Sequence, residues 1–278
     1  MKLSNIIKIA SLSLASALVV AALAGCSAQG GDAASKTIKV GASPSPHAGI
    51  LEAAKPALEK EGYKLDVVEY NDYVIPNEAL SNGEIDANFF QHLPYLDNYN
   101  SEKGTDLVSV GTVHFEPLKI FAGKSSDLKN VAKGAKISIP ADATNGGRAL
   151  LLLQDQGLIK LKDGAGLTAT KNDIVENPYN LDIIEADAAS LPRTLEDVDF
   201  AVINGNFAIS AGLDKSKVLA SETEDSAAAK TYANLVAVKA QNKDSEKAQA
   251  LIKALQSDAV RDYIKTTYGE EVIPVFNA

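Results

Sequence analysis

The chain of 278 residues contains one cysteine, three histidines and no tryptophan, and aromatic residues make up only 6% of it. A single cysteine permits no disulfide within the chain, so a packed core has to stabilise the fold. Acidic residues outnumber basic ones by 36 to 27, which gives a formal net charge of −9. Such a surface argues against binding to nucleic acid and against direct adhesion to anionic lipid. A chain of this length can bury about three quarters of its unfolded surface, enough for one or two domains.

The sequence also lacks complete motifs of nucleotide-binding and hydrolytic enzymes. Gly123-Lys124-Ser125 matches the end of a phosphate-binding loop, but Leu118 stands where that motif requires its first glycine. The segment Gly164–Ala169 fits a loose dinucleotide fingerprint, but it follows a turn rich in lysine and aspartate instead of a strand. No Gly-x-Ser-x-Gly nucleophile motif is present. We therefore expect neither enzymatic activity nor a cofactor.

The N terminus has the composition of an export signal. A short basic start and the apolar run Ile9–Leu23 lead to a lipobox that ends at Cys26. The run holds about fifteen residues, short of the roughly 20 that a membrane-spanning helix needs, so cleavage before Cys26 is favoured over an uncleaved anchor. We predict that residues 1–25 are a lipoprotein signal peptide and that Cys26 carries the lipid. Residues 26–36 then form a flexible tether at the extracytoplasmic face of the cell membrane.

In the remaining chain, short β-branched runs alternate with longer helical patterns, which is typical of α/β layering. The predicted strands are Thr37–Ala42, Lys64–Tyr70, Ile85–Phe89, Leu107–Val113, Leu118–Ala122, Lys136–Pro140, Leu181–Glu185, Phe200–Asn204 and Asn234–Lys239. The last helix is predicted to begin at a cap, Asp244 or Ser245, and to stop at Gly269, with Ala259 and Tyr263 on its apolar stripe. Two α/β lobes of about 120 residues each would account for the number of strands.

The few aromatic residues are concentrated in one segment, Asp86–Tyr99, which reads DANFFQHLPYLDNY. Tyr70 and Tyr73 lie just upstream of it. Neighbouring residues of a strand face opposite ways, so if Phe90 faces a ligand, Phe89 fills the core. This clustering indicates a local requirement for flat apolar faces.

Polar candidates lie at the ends of three other strands, two after a strand and one at a strand's first residue. The stretch Ile139–Arg148 is read as strand, glycine loop and helix start, where backbone N–H groups attract anions and Arg148 could clamp a carboxylate. Arg193 is a rival guanidinium for that role. Asn204 and Asn234 lie at strand ends, where ligands collect in open α/β sheets and where an asparagine offers both an acceptor and donors.

The histidines raise a separate hypothesis, because exported receptors for zinc or manganese use histidines and a carboxylate. His47, His92 and His114 lie far apart in sequence, and no His-x-x-x-His spacing supports them. A capping or partly buried imidazole is the competing interpretation for each. The metal hypothesis therefore stays open as a minor alternative.

Taken in order, a series of segments resembles one family. They are the lipobox, VEYNDYVIPNEAL, DANFFQHLPYL, HFEPLKIFAGK, IPADATNGGRALLLLQ, ENPYNLDIIEADAASLPRTLEDVDFAVINGNFA and YANLVAVK. This series is similar to the NlpA-type methionine-binding lipoproteins of bacterial ABC importers. The resemblance implies a two-lobed periplasmic-binding-protein fold, type II-like, with hinged lobes and a ligand cleft between them. Lobe 1 would comprise residues 37–115 and 238–278, and lobe 2 residues 116–237.

The resemblance also implies a ligand site. Tyr73, Phe90, His92 and Tyr95 would line the side-chain pocket, Arg148 would hold the ligand carboxylate, and Asn204 and Asn234 would fix its backbone polar groups. The expected ligand is L-methionine, handed to an ABC permease that is driven by its ATPase. The alternatives are D-methionine, another amino acid or a small dipeptide as ligand, a metal-binding receptor, or an adhesive surface lipoprotein.

One residue departs from the family pattern. The loop before the arginine often reads Thr-Asn-Leu-Gly-Arg in the family, whereas this chain has Gly146 in place of leucine. The exchange is expected to loosen the loop or to open the pocket.

Overall fold

The strands form two main sheets. A computed structural model describes residues 36–224 and 227–276; Cys26 and the predicted signal peptide lie outside them. The strands are β1 (Thr37–Ala42), β2 (Lys64–Glu69), β3 (Ala87–His92), β4 (Leu107–Phe115), β5 (Lys119–Ala122), β6 (Lys136–Pro140), β7 (Lys160–Leu161), β8 (Ile174–Glu176), β9 (Asp182–Ala186), β10 (Phe200–Ile203), β11 (Val218–Ser221), β12 (Asn234–Lys239) and β13 (Ile273–Pro274).

Helices cover the faces of these sheets. They are α1 (Gly49–Lys60), α2 (Ile75–Asn82), α3 (Leu93–Lys103), α4 (Ala143–Asp155), α5 (Leu191–Thr194), α6 (Gly205–Ser210), α7 (Ala227–Thr231), α8 (Glu246–Leu255) and α9 (Asp258–Tyr268). A single π-helical turn, Pro44–Ala48, precedes α1. None of the helices within the described ranges is long and apolar enough to cross a membrane.

The first sheet has the order β13-β4-β12-β3-β1-β2 and the second the order β11-β5-β10-β6-β9, while β7 and β8 form a separate pair. In the first sheet β1 pairs in parallel with β2 and β3, and β12 runs antiparallel between β3 and β4. In the second sheet β6 pairs in parallel with β9 and β10, and β5 is antiparallel to β10. The chain thus has a mixed α/β, two-lobed fold with one sheet in each lobe.

Each sheet has its own core. In the first, apolar residues of β1 and β12 pack against α1, α8 and α9, and the fully buried Phe89 belongs to this core, as expected from strand alternation. In the second, β6 and β10 pack against the apolar face of α4, with Leu150 and Leu153 fully buried. These separate cores leave the polar ends of the strands free to line the space between the sheets.

The crossings between the lobes occur at β4–β5 and before β12. Strand β12 belongs wholly to the first sheet, whereas the boundary expected at residue 237/238 would divide it. We propose that lobe 1 comprises residues 37–115 together with the segment that begins at Asn234. Lobe 2 would then comprise residues 116–233.

The sequence predicts a single C-terminal helix, and this prediction is wrong. The structure has two helices, α8 and α9, because Ser257 caps a new helix by accepting a hydrogen bond from the Val260 N–H. Because α9 is a separate helix, its buried face differs from the predicted stripe. Val260 and Ile264 are buried, while Ala259 is exposed. A cap in the middle of an apolar stripe ends one helix and begins the next.

Strand β3, at Ala87–His92, begins two residues later and ends three residues later than predicted. A buried amide network holds it against α2. Asn77 Nδ2 donates to Gln91 Oε1 at 2.9 Å, and Asn77 Oδ1 accepts from Asn88 Nδ2 at 2.8 Å and from Gln91 Nε2 at 2.7 Å. The network satisfies these buried side chains and sets the register of β3 against the helix.

Helix α4 begins in contact with the loop that contains Leu167. A Cβ added at Gly147 would lie 2.3 Å from the Leu167 carbonyl oxygen, which is too close for any side chain. The neighbouring Gly146 is less confined, since its Cβ would meet only the Pro140 carbonyl oxygen at 2.9 Å and that group's carbon at 4.0 Å.

Substitution of Gly147 by alanine should therefore destabilise the fold. We expect Gly147→Ala to lower the free energy of unfolding by about 1–3 kcal/mol, the usual range for forced overpacking, and Gly146→Ala to cost less. Urea unfolding followed by circular dichroism measures both. A Gly147→Ala protein as stable as wild type would contradict the close approach of α4 and the Leu167 loop.

Candidate functional site

The seven ligand-binding residues predicted from the sequence all line one cavity between the two sheets. The predicted members are Tyr73, Phe90, His92, Tyr95, Arg148, Asn204 and Asn234, and the structure adds Gln91, Glu116, Asn145, Gly205 and Asn206. The residues come from the loop between β2 and α2, the end of β3, the start of α3, the β4–β5 crossing, the start of α4, the β10–α6 turn and the first residue of β12.

Aromatic rings form one wall of the cavity. The Tyr73 ring centroid lies 5.8 Å from that of Phe90, 5.7 Å from that of Tyr95 and 4.9 Å from that of Phe207. The Tyr95 hydroxyl donates to the Tyr73 carbonyl oxygen at 3.1 Å, and the Tyr73 hydroxyl donates to Asn206 Oδ1. The wall is therefore apolar on its faces, while its hydroxyl groups are satisfied at the edge.

His92 connects this wall to the second lobe. It ends β3 and caps α3, where its Nδ1 accepts from the Tyr95 N–H at 3.2 Å. Its Nε2 lies 3.1 Å from Asn145 Oδ1, at the start of α4. The bonds Tyr73–Asn206 and His92–Asn145 thus both bridge the two lobes across the cavity.

Arg148 is buried, with 4% of its surface exposed, and its guanidinium is already paired. Nε donates to Glu222 Oε1 at 2.9 Å, while Nη2 donates to Glu222 Oε2 and to the Glu116 carbonyl oxygen. The guanidinium also lies 4.2 Å from the centroid of the Tyr232 ring. The rival Arg193 is exposed, contacts Ser190 Oγ at 3.3 Å and does not line the cavity.

Two asparagines at strand ends also reach the cavity. Asn204 Nδ2 donates to Asn145 Oδ1 at 2.9 Å, whereas its own Oδ1 is buried and has no hydrogen-bond partner among the described residues. Asn234 Oδ1 lies 2.9 Å from His47 Nε2. Asn204 therefore presents a vacant acceptor.

The metal hypothesis has a partial counterpart in the structure. His47, His114 and Glu116 each offer a ligand atom within 4.8 Å of the others, while His92 contacts Asn145 instead. However, the Nδ1 atoms of His47 and His114 are buried and have no partner among the described residues. Metal-binding histidines almost always donate their second N–H to an outer acceptor. We therefore interpret this cluster as a carboxylate that accepts a hydrogen bond from His114, with His47 beside it and bonded to Asn234.

Burial controls the charge of these groups. It lowers the pKa of His47 to about 4, and it lowers the pKa of His92 and of His114 to about 3. Burial also raises the pKa of Glu116, against the opposing effects of His47 and Arg148. The three imidazoles are consequently neutral at pH 7.

Sequence reasoning missed Glu116 as a functional residue. Its signal was a carboxylate in a mainly apolar stretch, HFEPLKIF, directly before a proline at the crossing between β4 and β5. Asn145 was inside a quoted loop but had no assigned role. The expectation that Gly146 opens the pocket is not supported, because Gly146 does not line the cavity. A Cβ at this position would instead meet the Pro140 carbonyl oxygen.

The buried histidines should make stability depend on pH. Their folded pKa values lie below the unfolded value of 6.5, so the stability that they contribute is complete above pH 6.5 and is lost as the pH falls toward 4. We expect His114→Gln, which retains an N–H donor but does not titrate, to reduce the slope of unfolding free energy against pH by about 1.4 kcal/mol per unit. Urea titrations at pH 6.5 to 4.5 measure this slope, and an unchanged slope would show that His114 is not buried neutral.

Comparison with known proteins gives a consistent result. The family model described as NlpA lipoprotein matches residues 38–276. The chain is 46% identical over 243 residues to a D-methionine-binding lipoprotein, MetQ, of Salmonella typhimurium, covering 86% of this chain and 88% of the relative. It is 43% identical over 241 residues to the membrane lipoprotein TpN32 of Treponema pallidum, with coverage of 86% and 88%.

A solved structure agrees with these sequence matches. It is a nutrient-binding protein from Burkholderia cenocepacia bound to methionine, with a TM-score of 0.82 and 45% identity, covering 86% of this chain and all of that one.

Proposed function

Because the chain belongs to the NlpA lipoprotein family, we propose that it is a substrate-binding lipoprotein that captures methionine and delivers it to an ABC importer. The observation that carries this proposal is the convergence of an aromatic wall, a buried arginine and strand-end asparagines on one cavity between two lobes. Proteins of this kind bind and release a ligand without chemical conversion. The absence of complete enzyme motifs in the sequence agrees with this function.

The aromatic wall suits the methionine side chain. A thioether is apolar and polarizable, and each contact between sulfur and an aromatic ring contributes about 0.3–1.5 kcal/mol. The rings of Tyr73, Phe90 and Tyr95 enclose one part of the cavity, with centroid separations of 5.7 to 6.0 Å. We assign the ligand side chain to this part, beside the neutral imidazole of His92.

We assign the ligand carboxylate to Arg148 and Asn234. The bonds of Arg148 to Glu222 and to the Glu116 carbonyl leave from Nε and Nη2, so Nη1 is the nitrogen that we assign to the ligand. Since Asn234 Oδ1 faces His47, the amide nitrogen of Asn234 can donate in the direction of the cavity. Glu222 holds the guanidinium in place, which reduces the entropy lost on binding.

We propose L-methionine as the first ligand and keep D-methionine as the alternative. The Salmonella relative is described as binding D-methionine, and the Burkholderia structure contains methionine.

Ligand capture would be coupled to closure of the lobes. The cavity walls come from both lobes, and Tyr73–Asn206 and His92–Asn145 form hydrogen bonds across it. A ligand that contacts both lobes favours the closed state, because it shifts an equilibrium by its differential affinity for the two states. The closed, loaded protein would then dock on a permease that is driven by its ATPase.

The proposed location follows from the predicted lipid on Cys26. Two or three acyl chains anchor a protein firmly at a membrane, and the tether of residues 26–36 would leave the lobes accessible on the extracytoplasmic side. The Treponema relative is described as a membrane lipoprotein, in agreement with such an anchor.

Ligand identity can be tested by thermal unfolding of the full-length protein in detergent, after unfolding and refolding to remove bound ligand. If the dissociation constant is about 1 μM, 1 mM methionine should add about 4 kcal/mol of stability, or roughly 8–16 °C in Tm. L-methionine, D-methionine, other amino acids and dipeptides are compared at equal concentration. A shift with another compound and none with either methionine would replace the ligand but not the binding function.

The assignment of the ligand carboxylate to Arg148 is best tested with the substitution Arg148→Lys. Arg148→Ala would leave Glu222 unpaired, whereas Arg148→Lys retains a cation but lacks the planar fork. We expect Arg148→Lys to weaken methionine binding by about 10- to 100-fold, the effect of losing a charged hydrogen bond, while the exposed control Arg193→Lys binds as wild type. Isothermal titration measures both, and wild-type affinity in Arg148→Lys would remove Arg148 from the carboxylate site.

A further inference from the structure

Strand β3 contains a bulge at Phe90, which contributes a ring to the aromatic wall. Phe89 and Gln91 lie opposite consecutive residues of β12, so Phe90 is skipped in this pairing. The pairing of β3 with β1 ends at Phe89, which leaves Phe90 unpaired among the described strands. Bulges are frequent beside binding sites, because the extra residue redirects a side chain. The direction of the Phe90 ring therefore depends on the interactions that maintain the bulge.

The bulge brings two amide side chains together. In a regular strand Asn88 and Gln91 would face opposite sides of the sheet, because they lie three positions apart. Here Gln91 Nε2 donates to Asn88 Oδ1 at 2.9 Å, so the two side chains share one face. A regular strand could not form this hydrogen bond. The bond therefore stabilises the bulged form of β3.

Asn77 of α2 completes a network with these two amides. Its Nδ2 donates to Gln91 Oε1 at 2.9 Å, and its Oδ1 accepts from Gln91 Nε2 at 2.7 Å. Asn88 Nδ2 donates to Asn77 Oδ1 at 2.8 Å and to the Pro76 carbonyl oxygen at 3.2 Å. Asn77 and Asn88 are fully buried, and Gln91, which borders the cavity, is 3% exposed. Because the N–H groups of the Asn88 and Gln91 amides are engaged within the protein, the network holds the fold and does not bind the ligand.

The same network holds the segment that carries Tyr73. The Pro76 carbonyl oxygen, at the start of α2, accepts from Asn88. Asp72 Oδ1 accepts from two backbone N–H groups where this helix begins. The centroid of the Tyr73 ring lies 5.8 Å from that of the Phe90 ring. The network thus fixes two neighbouring rings of the wall, Phe90 through the bulge and Tyr73 through the start of α2.

We propose that Asn77, Asn88 and Gln91 are positioning residues that set the shape of the aromatic wall and thereby determine which apolar side chains the cavity accepts. This inference rests on the proposed function and extends it to a buried network behind the residues assigned to the ligand. A fully paired amide network favours one arrangement, because any other leaves a buried amide unsatisfied.

The consequence concerns the shape of the ligand side chain. With the network intact, the two rings keep one separation, and the space between them suits an unbranched chain. With the network broken, β3 can lose its bulge and the start of α2 can shift, so the wall adapts to a branched chain. Selection for methionine against leucine therefore depends on residues that do not bond the ligand.

The experiment measures the affinity for methionine and for leucine by isothermal titration, using full-length protein in detergent that has been freed of ligand. Wild type should bind methionine at least about tenfold more tightly than leucine. Asn77→Leu is similar in size, lies outside the cavity and removes three hydrogen bonds of the network. It should reduce the preference for methionine at least about fivefold.

Two controls separate positioning from general destabilisation. Leu58→Ala creates a space in the core against α1, on a fully buried residue of the same lobe that has no part in the network, and should lower the stability while it retains the preference. Asn172→Leu makes the same chemical change at an exposed position and should alter neither. Urea unfolding gives the stability of each variant.

A second variant and a measurement without ligand extend the test. Asn77→Ser keeps a hydroxyl group that can replace one hydrogen bond, so it remains available if Asn77→Leu does not fold, and it should lose part of the preference. Amide hydrogen exchange of the ligand-free protein should be at least about tenfold faster in Asn77→Leu at Tyr73 and Phe90, while Leu58→Ala leaves the ratio between these amides and the rest of lobe 1 unchanged.

Three outcomes would overturn the inference. An unchanged preference for methionine in Asn77→Leu or, if that variant does not fold, in Asn77→Ser would leave methionine binding intact but remove the positioning role. An equal loss of preference in Leu58→Ala would show that the loss follows from destabilisation alone. A wild-type protein that binds no amino acid would overturn the proposed function and this inference together.

Discussion

The cavity depends on the compensation of one buried cation, Arg148. Removing a guanidinium from water costs several kcal/mol unless its hydrogen bonds are satisfied, and here the Glu222 carboxylate receives two of them. The same side chain donates to the Glu116 carbonyl oxygen and lies over the Tyr232 ring. Arg148 thus fastens the β4–β5 crossing to the segment that leads into β12, which are the two places where the chain passes between the lobes.

A second consequence concerns the distribution of charge inside the site. Arg148 is neutralised by Glu222, whereas the charge of Glu116 has no fixed cationic partner among the described residues. Burial keeps His47, His92 and His114 neutral, so they act as oriented hydrogen-bond donors and acceptors at pH 7. The site therefore combines a paired guanidinium, a buried carboxylate and an apolar wall.

Much of the site could be predicted because it is encoded locally. The segment Asp86–Tyr99 concentrates aromatic residues, and strand alternation places Phe89 in the core once Phe90 lines the cavity. The positions of Asn204 and Asn234 at strand ends also placed them at the cleft, since strand ends meet between the sheets. By contrast, the C-terminal stripe did not reveal its break, because the Ser257 cap competes with helix continuation and apolar periodicity says nothing about that competition.

The sequence alone determined the two-layer α/β alternation, the aromatic wall and the residue types available at strand ends, since each follows from the periodicity of the backbone. Tertiary structure decided which of these groups meet. It selected Arg148 over the exposed Arg193, paired it with Glu222 at a separation of 74 residues, and brought His47 to within 3.4 Å of Glu116. The physical reason is that a buried charge needs a partner, and this partner is brought near by the packing of segments that are distant in sequence. Local sequence patterns do not show which distant segments pack together.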